Sequence, residues 1–321
     1  MCEYNENSLL KSLILNQNTK IDIKDCYEKT GIDSILKKLD EELVGLENVK
    51  IRIREISSVL LLDKIREIKE LSTLQSSLHM SFTGRPGTGK TSVAAKIGLV
   101  LRNLGYLSKG HLTTVTREDM VGQYVGHTAP KTKECLNQAR GGMLFIDEAH
   151  QLYKPDNERD YGSEAIELLL QVMENQREDL IFVFSGDKTK IDTFFSSNPG
   201  ISSRIGNHVN FVDYNTNELV EITKFLLNNE VRYKFTDKTI EILQFYIKQL
   251  EKFPTFSNVR TIKIFLNQLV SYQSIRIEEQ LTSTGLLTYK NLTYIKPDDF
   301  EYFTKNDFIN IIGSEKVALY K

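Results

Sequence analysis

The segment Gly84-Arg85-Pro86-Gly87-Thr88-Gly89-Lys90-Thr91 constrains this chain more than any other, because it satisfies G-x-x-x-x-G-K-[ST] at every fixed position. It follows directly on Leu78-His79-Met80-Ser81-Phe82, which reads as a strand, and precedes a helical pattern from about Ser92 to Leu104. The glycines let backbone N–H groups close around phosphate oxygens, and the helix N-terminus adds partial positive charge. Lys90 reaches the β- and γ-phosphates of a bound nucleotide, and the Thr91 hydroxyl ligates Mg²⁺. The alternative is a glycine-rich turn that merely feeds a helix. With motif and context both satisfied, phosphate binding by Gly84, Pro86, Gly87, Thr88, Gly89, Lys90 and Thr91 is the expectation.

Around this loop, apolar runs of strand length alternate with helical periodicity. Strands are expected at Leu78–Phe82, Leu112–Val115, Met143–Ile146, Leu180–Phe184 and Val209–Phe211, with helices between them. Such alternation predicts a parallel five-stranded sheet between helices. Helical spacing starts upstream, at Ile32, Ile35, Leu36 and Leu39 and again from Val49 to Leu60. Beyond Tyr214 three amphipathic stretches follow with no strand between them, the pattern of a small all-α domain. The expected organisation is a loosely held extension over 1–30, an α/β nucleotide-binding domain with leading helices over 31–212, a helical domain over 213–285, and a polar tail over 286–321.

Met143-Leu144-Phe145-Ile146-Asp147-Glu148 is an apolar strand ending in two carboxylates. It lies two α/β units after the loop, so Asp147 falls at the C-terminal edge of the sheet, where ligands of open α/β folds collect. Asp147 is read as holding Mg²⁺ and Glu148 as orienting or deprotonating the attacking water. A helix N-terminus that simply favours acids is the bland alternative. Three further features point to an AAA+ motor. Val44-Gly45-Leu46 lies where such chains wrap adenine, although a helix-start turn explains Gly45 equally well. Arg204 closes Asn198-Pro199-Gly200-Ile201-Ser202-Ser203-Arg204, either as a finger on a neighbour's γ-phosphate or as a solvated loop charge. Arg260 opens a helix at Ser257-Asn258-Val259-Arg260, the place of a second sensor. Ser185 and Asp187 are both candidates for the first sensor, at the end of the strand Leu180–Phe184. Tyr124, Val125 and Gly126 follow the second strand on a loop, either facing a central pore, where an aromatic grips peptide with little demand on sequence, or with Tyr124 packed at an edge.

The stretches Leu78–Gly84, Val121–Thr132, Asn157–Gly162 and Leu168–Arg177 resemble the CbbX family, the red-type Rubisco activases of red-lineage plastids and some proteobacteria. The likeness covers roughly Leu39 to Arg276. It implies an AAA+ fold with a lid, ATP and Mg²⁺ as cofactors, and catalytic roles for Lys90, Asp147, Glu148 and Arg204. It also implies a hexameric ring, homomeric or mixed with a second isoform, that pulls on the C-terminus of the Rubisco large subunit and releases inhibitory sugar phosphate. Ribulose 1,5-bisphosphate is implied as an allosteric ligand, and the plastid stroma, or a bacterial cytoplasm, as the compartment. Two places depart from the family pattern. Ala149-His150-Gln151 stands where an aromatic pair usually follows the alanine, and Ser185-Gly186-Asp187 stands where Ala-Gly-Tyr is usual.

Composition enters as a filter. A net charge of −2 over 321 residues lacks the basic excess of a free-standing nucleic-acid binder. A nucleic-acid motor related to clamp loaders is therefore the weaker reading, and a nucleotide-gated scaffold is a third. The three cysteines, Cys2, Cys26 and Cys135, are too few and too far apart for a disulfide framework or a metal cluster, which suits a reducing compartment. No apolar run reaches the ~18 residues of a membrane span, so no membrane partner is expected. The acidic, polar start of the chain resembles neither a secretory signal nor a transit peptide.

Overall fold

In parallel sheets covered on both faces, strands read as continuous apolar runs rather than alternating ones. A computed structural model of the chain shows how far that rule carries. It describes residues 14, 21–72, 77–154, 160–175, 179–230, 233–284 and 286–312. Cys2 and the family-like positions 157–159 and 176–177 lie outside the described residues. The described residues divide into two compact units, one drawn from 1–84 with 89–212 and the other from 85–88 with 213–321.

The first unit begins with α1 (Ile23–Lys29), α2 (Ile32–Glu42) and α3 (Glu47–Ile68). Strand β1 (Met80–Thr83) leads to α4 (Lys90–Asn103), β2 (Leu112–Val115), α5 (Arg117–Met120) and α6 (Thr128–Ala139). Strand β3 (Gly142–Ile146), a 3₁₀ turn (Ala149–Leu152), α7 (Gly162–Glu174), β4 (Leu180–Gly186), α8 (Lys188–Ser197), α9 (Pro199–Ser202) and β5 (Asn207–Asn210) complete it. The five described strands are all parallel, in the order β2-β3-β4-β1-β5. Every residue of β1, β3 and β4 is buried, whereas the edge strands β2 and β5 expose polar positions. One face of the sheet contributes Leu144, Ile146, Phe182 and Phe184 to a core with Ala165, Ile166 and Leu169 of α7 and Phe194 of α8. The other face carries Phe82 against Phe145, with ring centroids 6.5 Å apart.

The expectation of a loosely held extension through residue 30 fails over its last part. Asp22 caps α1, accepting from Lys24 N at 2.9 Å, and Cys26 is buried beneath it. The Tyr27 hydroxyl meets Ser58 Oγ of α3 at 2.8 Å, and Asn103 Nδ2 of α4 donates to Thr30 O at 2.8 Å. Such bonds fix a seven-residue helix too short to hold its own shape.

The second unit contains α10 (Thr216–Glu230), α11 (Asp237–Glu251) and α12 (Val259–Thr284), as the periodicity predicts. The segment expected as a polar tail corrects the sequence reading, because it carries α13 (Tyr289–Thr293), α14 (Asp298–Glu301) and α15 (Lys305–Ile312). Phe303 lies 5.0 Å from Phe265 of α12, and Phe308 stacks on Tyr246 of α11 at 5.7 Å. A buried ion pair, Arg276 with Asp299, ties α12 to α14. Asp299 also accepts from Lys296 N at 2.7 Å, and Gln273 Nε2 donates to the carbonyls of Asn291, Leu292 and Tyr294. A buried charge pair survives only when its remaining hydrogen-bonding groups are also satisfied, and this one is. None of the helices among the described residues is long and apolar enough to cross a membrane.

One buried titratable group locks the centre of the sheet. His79, one residue before β1, accepts at Nδ1 from Phe182 N at 3.2 Å, and its ring is also hydrogen-bonded to the Met173 backbone of α7. Burial pushes its imidazole down to about 4, against the opposing pull of the Met173 hydrogen bond. The unfolded chain binds this proton below pH ~6.5 and the folded chain does not, so stability falls as pH drops from about 6.5 towards about 4. The loss at the acid end is about 3 kcal/mol. Urea melts of wild type and His79→Gln across that range should show a steeper decline for wild type. Parallel curves would refute the buried, neutral assignment.

Candidate active site

The pairing of β1 with β4 sets Thr83 opposite Gly186, and the ladder runs on as Gly84 N donates to Gly186 O at 3.0 Å. Gly84 has φ +150°, and a Cβ there would come within 2.4 Å of the Phe211 carbonyl oxygen, so no other residue fits. Gly89 is the N-cap of α4, and Lys90, its first residue, is buried with Nζ donating to Gly84 O at 2.8 Å. The lysine therefore already lies back across the loop it serves. Thr91 follows, exposed on the first turn of α4. Gly45 (φ +64°) and Leu46 (φ +53°) make the left-handed entry into α3.

The β3–β4 register sets Ile146 opposite Phe184, which brings the next residues, Asp147 and Ser185, together. Asp147 Oδ1 accepts from Ser185 Oγ at 3.3 Å and from Glu148 N at 3.2 Å, while Asp147 N extends the ladder to Val115 O at 2.8 Å. Glu148 has φ +49° and ψ +45°, a left-handed backbone that costs a non-glycine residue ~1 kcal/mol. Such strain clusters at functional sites. The two first-sensor candidates separate clearly. Ser185 is fully buried beside Asp147. Asp187 points along α8 as its N-cap, accepting from Thr189 N at 3.0 Å, and the Thr189 hydroxyl bond holds its carboxyl below the usual range.

Arg204 follows α9, bonded to Gly200 O at 2.6 Å and ion-paired with Glu174 at the end of α7. Tyr124, Val125 and Gly126 form a turn between α5 and α6 whose two ends are stapled. Gly122 N donates to Thr128 Oγ1 at 3.0 Å, and Thr132 Oγ1 donates to Met120 O at 3.0 Å. Between those anchors Tyr124 is 67% exposed and Val125 81%, with the His127 ring edge-on to that of Tyr124. The alternative of Tyr124 packed at an edge is therefore not what the structure shows.

In the second unit the loop residues 85–88 are bound to the helical domain. Arg85 pairs with Asp213 at 3.1 Å and donates to the carbonyls of Pro254 and Phe256. Gly87, with φ +77°, accepts from Val259 N at 3.3 Å, and a Cβ there would meet Ser257 O at 2.1 Å. Thr88 is buried and its carbonyl accepts from the Tyr214 hydroxyl at 3.2 Å. Burial pushes that phenol up to about 12. The hub is Asn258, buried at φ +47°: its Nδ2 donates to Asp213 Oδ1 at 2.9 Å and to Pro86 O at 3.5 Å, and its Oδ1 accepts from Tyr214 N at 3.2 Å. Arg260 is exposed in the first turn of α12. Sequence reasoning picked out Arg260 and missed Asn258, Asp213 and Tyr214. The signal available was an asparagine at a helix start, which by itself reads as a cap.

Comparisons with known proteins agree with this geometry. The model of the ATPase family associated with various cellular activities (AAA) matches residues 80–211, and that of the AAA lid domain matches residues 215–308. The chain is 52% identical to the protein CfxQ homolog of Galdieria sulphuraria, over 92% of this chain and 94% of that one. It is 50% identical to a chloroplastic ribulose bisphosphate carboxylase/oxygenase activase of Cyanidioschyzon merolae, over 88% and 97% respectively. To the chromosomal protein CbxX of Cupriavidus necator it is 52% identical over 77% of each chain. The solved AAA domain of FIGL-1 covers 85% of this chain and 87% of its own at a TM-score of 0.52, with 16% identity, a likeness of fold alone.

A parallel five-stranded sheet, a helical lid and a phosphate loop define an AAA+ ATPase, an enzyme that uses ATP with Mg²⁺. Within that class the chain belongs to the CfxQ/CbbX family. The residues fit the nucleotide: a cradle that only glycine can line at Gly84, a buried lysine folded over it, and a carboxylate ready for a cation at Asp147.

Asn258→Ala should destabilise the helical unit by ~1–3 kcal/mol, because Tyr214 N and Asp213 Oδ1 lose the side chain they bond. Denaturant unfolding checks this, and a change within ~0.5 kcal/mol would show the network to be idle.

Proposed function

We propose that this chain is an ATP-driven remodelling motor acting on Rubisco, which it reactivates by pulling on the C-terminus of the large subunit to free inhibitory sugar phosphate. The observation that carries the reading is the stapled loop with Tyr124 and Val125 exposed at its tip, on a chain half identical to a named Rubisco activase. An exposed aromatic on a fixed turn takes hold of an extended peptide through apolar area, without demanding a particular sequence.

In this reading Lys90 holds the β- and γ-phosphates, the loop N–H groups of Gly84, Gly87 and Gly89 surround them, and Pro86 and Thr88 shape the loop. Gly45 borders the adenine. Thr91 and Asp147 hold Mg²⁺, which supplies charge neutralisation at the transferring phosphoryl group. Glu148 orients the attacking water and accepts its proton. Ser185 keeps Asp147 in place and serves as first sensor in preference to Asp187, whose carboxylate is engaged as a helix cap. Arg260 acts as second sensor. Arg204 acts in trans on the nucleotide of a neighbouring copy, leaving its pairing with Glu174. The assembly is a hexamer, homomeric or mixed with a second isoform. Ribulose 1,5-bisphosphate stimulates it, and the compartment is the plastid stroma or, for a bacterial source, the cytoplasm.

The test is ATP turnover by the purified protein, alone and with ribulose 1,5-bisphosphate and inhibited red-type Rubisco. Turnover should rise with both ligands and vanish in Lys90→Ala. Tyr124→Ala should keep basal turnover yet lose at least about tenfold in Rubisco reactivation, the scale of losing one well-buried aromatic contact. Turnover indifferent to Rubisco and to the sugar phosphate would sink the proposed client and leave an ATPase with another one.

A further inference from the structure

His150 lies in the 3₁₀ turn two residues beyond Glu148. Its Nδ1 is shut off from water and makes no hydrogen bond, one of two such side-chain nitrogens among the described residues. The Glu148 carboxylate lies beside it, with Oε2 3.5 Å from that nitrogen. Native proteins seldom leave a buried polar atom unmatched, and each one that they do leave asks for a reason. The surroundings close off other partners. Gly186, at the end of β4, presents only backbone, and a Cβ there would press to 3.3 Å from the same Nδ1. Asp187 and Lys190 face the ring from the start of α8, with opposite effects on its charge. The turn itself is fixed from the other side, since Arg117 donates to Gln151 O at 2.8 Å and is ion-paired with Asp160.

Glu148 therefore sits on a left-handed backbone outside any regular helix, with its side chain a third exposed and an unmatched imidazole nitrogen beside it. We propose that His150 is a positioning residue for Glu148: in the hydrolytic state its Nδ1–H donates to the Glu148 carboxylate and holds that carboxylate aimed at the attacking water. This rests on the reading of Glu148 as the residue that activates water. Closing 3.5 Å to an ordinary hydrogen bond takes a small side-chain rotation, and catalytic contacts are commonly long until the reactive complex forms. Burial holds the imidazole below its usual value, outweighing the upward pull of Glu148, so near neutrality the ring carries one proton to donate and no charge of its own. A neutral donor orients the carboxylate without quenching its basicity, as an imidazolium would. The carboxylate can then take the water's proton while His150 keeps its own.

Three variants test this: His150→Phe, which keeps the volume and removes the donor; His150→Asn, whose amide nitrogen overlays Nδ1; and Glu148→Gln. His150→Phe should lower kcat for ATP about tenfold, a common size for a lost orienting contact. The KM for ATP should stay within about twofold of wild type, because the contact matters only as water attacks. His150→Asn should restore kcat to within about threefold of wild type, which a purely packing role does not predict. Glu148→Gln should abolish turnover, and adding His150→Phe to it should change nothing further. Wild-type kcat in His150→Phe, with Glu148→Gln inactive, would overturn the role of His150 alone. Equal losses in the Phe and Asn variants would do the same. Turnover retained in Glu148→Gln would overturn the assignment of Glu148 and this proposal with it.

Discussion

The pairing of β1 with β4 is the constraint on which the rest of the molecule depends. The two strands are neighbours in the sheet yet separated by about a hundred residues, and their register is fixed along the whole of β1, from Met80 opposite Val183 to Thr83 opposite Gly186. Because side chains alternate faces, a slip of one position would turn Phe82 and Phe184 out of their cores. That register also decides the chemistry. It delivers Gly84 to the Gly186 carbonyl and leaves the loop to turn away at a residue only glycine can occupy. On the other side of β4, the β3 register brings Asp147 to Ser185. The phosphate loop and the carboxylate edge are thus two outcomes of one set of backbone hydrogen bonds, reinforced by His79 from within the core.

Among the described residues, Leu46, Glu70, Glu148 and Asn258 take left-handed backbones without being glycine. Glu148 follows directly on Asp147 at the end of β3, and Asn258 is the hub of the helical unit. Asn258 is held there by two side-chain bonds to Asp213 and Tyr214, and Leu46 by burial. At Glu148 the side chain is approached by His150, with Oε2 3.5 Å from Nδ1.

Much of this was legible in the sequence. Strands β3 and β4 announce themselves because burial on both faces demands uninterrupted apolar residues, and the loop because phosphate binding demands its glycines at fixed places. Asp147 could be placed because an acid directly after a buried strand falls at the sheet edge. What stayed hidden depends on residues far apart in sequence. Nothing near Asn258 tells that Asp213, Tyr214 and Pro86 converge on it, and that Ser185 rather than Asp187 lies beside Asp147 follows only from the register of β3 against β4. The helices α13 to α15 are hidden in the sequence because runs of five, four and eight residues show little or no periodicity. Their stability comes from Phe300, Phe303 and Phe308 meeting aromatics of α11 and α12, and from the Arg276–Asp299 pair. The segment from Asp22 to Thr30 was missed for the same reason.

The central proposal is that the backbone register of β1, β3 and β4 builds a site for a nucleotide and its cation from Lys90, Thr91 and Asp147. Calorimetric titration of ATP with and without Mg²⁺, into wild type and Asp147→Asn, tests it most directly. Wild type should bind ATP more tightly in Mg²⁺, and Asp147→Asn should lose that increment while keeping the Mg²⁺-free affinity that the loop and Lys90 provide. An equal gain from Mg²⁺ in both proteins would contradict the account, because the cation would then be held somewhere other than the end of β3.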